Sequence, residues 1–153
     1  CFYGFFPLWY NRHMSKFNFF LPIQVRYGDI DAQWHVNNTK FLNYAEQGRF
    51  AYILNLDLFD GKSFLDLGLI VADVHMAYLA PIELGQKIQV AVRVGHIGNK
   101  SLRFEYEIQD SDTGNTLATA ETVMVSFDYH THTSKPVPEE WRKKINAFEG
   151  VEF

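Results

Sequence analysis

The feature that most constrains the fold is a helical segment, Asn38 to about Asn55, that is apolar on nearly every side. Phe41, Tyr44, Ala45, Gly48 and Tyr52 recur at three- and four-residue spacing, while Leu42, Phe50, Ile53 and Leu54 cover other faces. A helix of this kind has to be enclosed by other elements. A sheet wrapped around it would do so, and the small Ala45 and Gly48 would let a strand approach closely. Asn37 or Asn38 is the expected start, since an asparagine side chain accepts the free N–H groups of a first turn.

The remaining segments supply such a sheet. Before the helix, Phe17 to Tyr27 reads as a strand, with apolar residues at alternate positions. Pro22 lacks a ladder donor, so an edge or bulge is expected there. After the helix, Leu56 to Gly68 is a connection rich in turn signals, and Phe59, Phe64, Leu65 and Leu67 within it are candidate core or pocket residues. The second half reads as a strand meander. Leu69–Leu79 comes first, followed by alternating runs through Ile88–Val94 and Leu102–Ile108, then a longer strand from Leu117 to Phe127. Gly98-Asn99 and Asp112-Thr113-Gly114-Asn115 are turns too short for crossover helices, so the sheet is expected to be antiparallel. Pro138 to Lys144 reads as a short C-terminal helix, with acidic residues first and basic residues last, as the helix dipole favours. The order is α+β: a strand, a buried helix, then about four antiparallel strands.

Length and composition fit one domain. At 153 residues the chain can bury a substantial core. The net charge of −4 argues against nucleic acid drawn by bulk charge. The single cysteine, Cys1, allows no internal disulfide and fits a reducing, cytoplasmic setting. Residues 1–13 match neither a signal peptide nor a membrane span, because their one arginine follows the apolar part and the run is short. His13-Met14 looks like a cloning junction, with Met14 as a native start. We therefore expect an N-terminal extension over 1–13, a single domain over 14–153, and no membrane partner. A hydrophobic arm packing on a partner subunit is the other reading of 1–13.

The candidate chemistry lies between the first strand and the helix. Asp29, Asp31 and His35 precede a helix start, where unpaired N–H groups and a partial positive charge can hold an electron-rich oxygen. A nearby carboxylate can attack a carbonyl or activate water. If it does, the amides of Val36, Asn37 and Asn38 are candidate oxyanion donors. Aspartate and asparagine before a helix also serve simply as caps and turns. Glu46 and Arg49, at i and i+3, make a local ion pair, with Glu46 a lesser catalytic candidate. Competing motifs are weak. There is no G-x-S-x-G elbow and no glycine-rich phosphate loop. His130-Thr131-His132 would put two imidazoles on one face of an extended strand, but without a further ligand pattern no metal is expected.

The string Asp29, Asp31, His35, Val36, Asn37, Asn38, Tyr44, Glu46, Arg49 resembles the signature of hot-dog-fold acyl-CoA thioesterases. These are the 4-hydroxybenzoyl-CoA thioesterase-like and long-chain acyl-CoA thioesterase groups, with plant acyl-carrier-protein thioesterases more distant. The surrounding pattern extends the likeness from about residue 17 to about residue 138. The resemblance implies a hot-dog fold, an antiparallel sheet wrapped around one long central helix. It implies thioester hydrolysis with Asp31 as general base or nucleophile and Asp29 bracing the loop. It implies that His35 positions substrate or water, with Gln33 assisting by hydrogen bonding. Trp34 stands where many relatives have glycine, and its ring is expected to fill or reshape the acyl pocket. For coenzyme A, the resemblance points to Lys100 and Ser101, and Ser134-Lys135 is a second basic position. Coenzyme A would be part of the substrate, so no separate cofactor is expected. The pocket would lie between subunits of a homodimer or homotetramer. Two alternatives stand beside this reading: a non-catalytic acyl-CoA-binding protein, and a hot-dog dehydratase acting on acyl carrier protein. The dehydratase would place its acid on the central helix rather than in a D-x-D ahead of it.

Overall fold

The computed structural model describes residues 16–153; the expected extension over 1–13 and the start at Met14 lie outside the described residues. The elements are β1 (Phe19–Gln24), α1 (Asn38–Asn55), α2 (Phe64–Leu67), β2 (Leu69–Tyr78), β3 (Lys87–Ile97), β4 (Ser101–Asp110), β5 (Thr116–Asp128), β6 (Thr133–Ser134) and α3 (Glu139–Glu149). The long strands form one antiparallel sheet in the order β1-β3-β4-β5-β2, with the two-residue β6 paired to β5. α1 lies in the concave side of this sheet against β3, with β1 and β4 at its flanks. This is the hot-dog arrangement, and the α+β class follows from it.

The helix ends where the sequence places them. Asn37 is the N-cap, and its Oδ1 accepts from the N–H of Thr39 at 3.0 Å. Gly48 is the point of closest approach to the sheet. A methyl group there would lie 2.8 Å from Cγ1 of Val90 and 2.9 Å from Cγ2 of Val92. Gly48→Val is therefore expected to destabilise the fold by about 3 kcal/mol through overpacking, read as a lower midpoint in chemical denaturation.

Several expectations need correction. The first strand ends at Gln24, and Tyr27, 86% exposed, enters a 3-10 turn over Tyr27–Asp29. The turn brings Asp29 back to cap the N–H of Arg26 at 3.0 Å, and this breaks the alternation. The helix is not enclosed all round within one chain. Asn43, Glu46 and Gln47, at helical spacing, turn one face outward, and Leu54 is exposed with them. The second half is not a simple meander: β2 does not pair with β3 but lies at the far edge, against β5. The reason is the loop after β2, in which Ala80-Pro81 ends the strand and buried Ile82 passes beneath the helix start, accepting the N–H of Val36 at 2.8 Å. His130 and His132 sit in a tight turn rather than on one face of a strand, with His132 at φ 56°. Among the described residues, no group of three or more His, Cys, Asp or Glu side chains is placed to hold a metal ion. α3 runs further than Lys144, to Glu149, because Ile145 is a fully buried anchor and Phe148 packs on the core.

Pro22 sits on an outer strand, opposite Gln89, where a missing donor costs little. Among the described residues no helix is long and apolar enough to cross a membrane.

Candidate active site

Residues 29–37 form a closed loop held by backbone bonds. Asp31 N–H donates to His35 O at 2.9 Å, Trp34 N–H to Asp31 O at 3.0 Å, and Asn37 N–H to Asp29 O at 2.8 Å. Ile30 bridges Val36, and His35 bridges Glu83 of the loop after β2. This lattice fixes Asp31 beside the start of α1.

The two aspartates have different surroundings. Oδ2 of Asp29 accepts from the Arg26 N–H and, at 2.7 Å, from the Tyr44 hydroxyl. Burial opposes its ionisation, but these two bonds and the Lys40 and Arg26 charges outweigh it and hold the carboxyl below its usual 3.8. Burial and the same contact push the Tyr44 hydroxyl well above its ordinary range. Asp29 thus ties the loop to α1, as the structural aspartate was expected to do. Because the folded value is the lower one, its carboxylate contributes stability above the unfolded value, lost as the pH falls through the folded value. Wild type should melt above Asp29→Asn at pH 6, and the gap in Tm should narrow as the pH drops below about 4.

Asp31 is half-buried, and its Oδ1 accepts the backbone N–H of Gln33 at 2.8 Å. Among the described residues its other oxygen accepts no hydrogen bond. Gln33 therefore meets Asp31 through its main chain rather than its side chain. Asp31, Gln33, His35, Val36 and Asn38 line one cleft of ≈ 470 Å³, completed by Phe41, Tyr78 and the loop to Pro81. His35 lines this cleft with Asp31, and its backbone is pinned by the bridge to Glu83.

Of the three candidate amides, two already have backbone acceptors. The N–H of Val36 is bonded to Ile82 O and that of Asn37 to Asp29 O, both at 2.8 Å. Neither can receive a substrate oxygen. The N–H of Asn38, first in α1, has no acceptor among the described residues, and Asn38 is one of the residues that line the cleft. Tyr78, which the sequence reading did not single out, walls this point. Its hydroxyl donates to Asn38 O at 3.2 Å, and its ring meets Phe41 edge-on at 5.2 Å. Forty residues of sequence separate the two partners, and no local pattern signals the contact.

Trp34 lies at the rim of the loop over 29–37. Within one chain Trp34 is not among the residues that line the cleft: the residue is 82% exposed, with its backbone at φ 65°. That conformation costs a non-glycine residue about 1–3 kcal/mol, which the surrounding backbone bonds sustain.

The candidate coenzyme A residues gather elsewhere. Lys100 Nζ donates to Ser134 Oγ at 3.2 Å, and Lys100 O and Ser126 O receive the N–H groups of Ser126 and Lys135. Ser101 pairs with Val125 in the same corner. This corner adjoins the Leu69 end of β2, since Leu69 pairs with Ser126. Asp31 adjoins the Tyr78 end. The strand spans ten residues, so the two groups are separated by about 30 Å within one chain.

A second cavity, of ≈ 400 Å³, also lies at the Leu69 end. Most of its walls are apolar, among them Phe50, Ile53, Phe64, Leu69 and Met124, and Glu46 and Arg49 line it too. Arg49 Nη2 meets Glu46 at 3.4 Å and Nη1 donates to the Tyr106 hydroxyl at 3.3 Å. Glu46 is thus a charge partner away from the Asp31 cleft of its own chain. A larger groove of ≈ 710 Å³ between β1 and β3 is lined by no carboxylate or imidazole.

The chain is similar to known thioesterases in sequence and in fold. The family model of the thioesterase-like superfamily matches residues 25–145. A thioesterase of Thermus thermophilus, solved with coenzyme A and zinc, is 31% identical with a TM-score of 0.79, covering 92% of this chain and 100% of that one. The long-chain acyl-CoA thioesterase FadM of Escherichia coli is 24% identical over 123 residues, 80% of this chain and 93% of FadM. A 1,4-dihydroxy-2-naphthoyl-CoA hydrolase of Synechococcus elongatus is 25% identical over 118 residues, 75% of this chain and 85% of that protein.

Proposed function

The chain belongs to the thioesterase-like superfamily and is a thioester hydrolase, and we propose that it cleaves acyl-CoA in a site built by two copies of itself. The observation that carries the chemistry is the Asp31 carboxylate, fixed by the Gln33 N–H, sharing one cleft with the unpaired Asn38 N–H.

The thioester carbonyl oxygen points at the Asn38 N–H, at the positive end of α1. Asp31 takes a proton from water as the water oxygen adds to the carbonyl carbon. Negative charge collects on the carbonyl oxygen, facing Asn38. The C–S bond then breaks, the thiolate of coenzyme A leaves and takes up a proton, and the free acid remains. In the nucleophilic variant, Asp31 forms the new C–O bond and water hydrolyses the resulting anhydride. His35 orients the water or the thioester.

The assembly reading rests on β2. Its outer edge has no partner strand among the described residues, and Ile70, Val71 and Val74 along it are exposed. A long apolar edge of this kind invites pairing with another strand. Antiparallel pairing of two β2 edges about a two-fold axis sets the Tyr78 end of one copy beside the Leu69 end of the other. Asp31 of one copy then faces the Lys100, Ser101 and Lys135 corner of its partner, where the phosphates of coenzyme A bind. A cytoplasmic setting is part of the same proposal.

Thiol release from short-chain, long-chain and aromatic acyl-CoAs tests the reading. Turnover of at least one of them is expected, and the preferred acyl group sizes the pocket. Tight binding without release on every member would replace hydrolysis with an acyl-CoA-binding role.

A further inference from the structure

We propose that Trp34 closes the apolar chamber of the partner copy by packing on its α2, and so limits the size of the acyl group that the chamber accepts. This rests on the proposed thioesterase reading with antiparallel β2 edges.

The chain exposes two apolar groups at opposite ends of β2. At the Tyr78 end stand Trp34 and Leu79, the latter 60% exposed. At the Leu69 end stands α2, with Phe64 67% and Leu65 54% exposed. Two-fold pairing of β2 sets each group against the other in the partner, so one axis covers both. Solvent-exposed clusters of large apolar side chains mark interaction sites.

Trp34 is suited to a fixed contact. Its positive φ follows from a turn in which Trp34 N–H is bonded to Asp31 O, and Asp31 N–H to His35 O. The same turn carries the Asp31 carboxylate. A strained residue held in place by its surroundings points to a role outside local stability. Phe64, which the indole would meet, is itself a wall of the ≈ 400 Å³ chamber and packs on Phe50 and Phe59 at 5.6 and 5.3 Å between ring centres. An indole laid on Phe64 narrows the chamber at its mouth. The acyl group of a thioester held at Asp31 has to pass this ring.

The contact is tested by cross-linking and the size limit by kinetics. In a Cys1→Ser background, Trp34→Cys with Leu65→Cys, and separately Leu79→Cys with Phe64→Cys, are treated with a short bismaleimide. Covalent dimers are expected from either double variant, and none from the single ones. A protein that sediments as a dimer yet yields no cross-link from either pair overturns the contact, while leaving hydrolysis itself untouched. A monomer in solution also overturns it. In the kinetic arm, Trp34→Ala should raise the ratio of kcat/KM for dodecanoyl-CoA over butanoyl-CoA at least about tenfold. An unchanged ratio overturns the size limit.

Discussion

Asp31→Asn lowers kcat by about 10² or more, the range expected when a positioned base is removed. The substitution is close to isosteric, and the amide oxygen can still accept the Gln33 N–H that holds Oδ1 at 2.8 Å. The turn bonds from Asp31 N–H to His35 O and from Trp34 N–H to Asp31 O involve main-chain atoms only. The fold and the cleft should therefore survive, and Tm and KM should change little. What is lost is the ability to take a proton or to form an anhydride. Steady-state thiol release beside a thermal melt separates the two effects. Retention of more than a tenth of the wild-type kcat would remove Asp31 from the reaction.

The second large effect concerns assembly. Val74→Asp places a new carboxylate near the middle of the free β2 edge, where Val74 is exposed and Asp73 is its neighbour. In a two-fold pair of edges, four carboxylates would then crowd the axis. Like charges set against each other cost several kcal/mol, so dissociation should strengthen by about 10² or more. Sedimentation at micromolar concentration should show monomers. Hydrolysis should fall with the dimer, by about 10² in kcat/KM, because each Asp31 loses the partner's coenzyme A corner and acyl chamber. A monomeric variant with wild-type activity would mean that one chain builds the whole site.

The parts of the structure that sequence made legible are those decided locally. α1 could be bounded because Asn37 caps it and its apolar residues keep helical spacing to Tyr52 and Ile53. β4 alternates buried and half-buried positions along its length, as Leu102 to Ile108 alternate with charged residues. Asp31 and His35 were legible as a pair because the loop that joins them is short. What sequence did not disclose depends on distant backbone. The pairing of β2 with β5 turns on how the Ala80–Ile82 loop passes beneath the helix. The engagement of the Val36 and Asn37 amides depends on Ile82 and Asp29 as acceptors, so it emerges only in three dimensions that, of the three candidate amides, only that of Asn38 is left without an acceptor among the described residues. The resemblance marked Trp34 as a pocket residue because it stands where many relatives have glycine, but its left-handed backbone and its exposure within one chain emerge only in three dimensions.

The most direct measurement of the central claim is subunit complementation. Asp31→Asn, and a variant carrying Lys100→Glu with Lys135→Glu, are co-expressed with different tags and purified through both. Each parent should be nearly inactive. A mixed dimer has one site with both defects and one with neither, so it should show about half of wild-type activity, and an unsorted random mixture about a quarter. Activity in the mixed dimer no higher than the sum of its parents would contradict the account and return every site to a single chain.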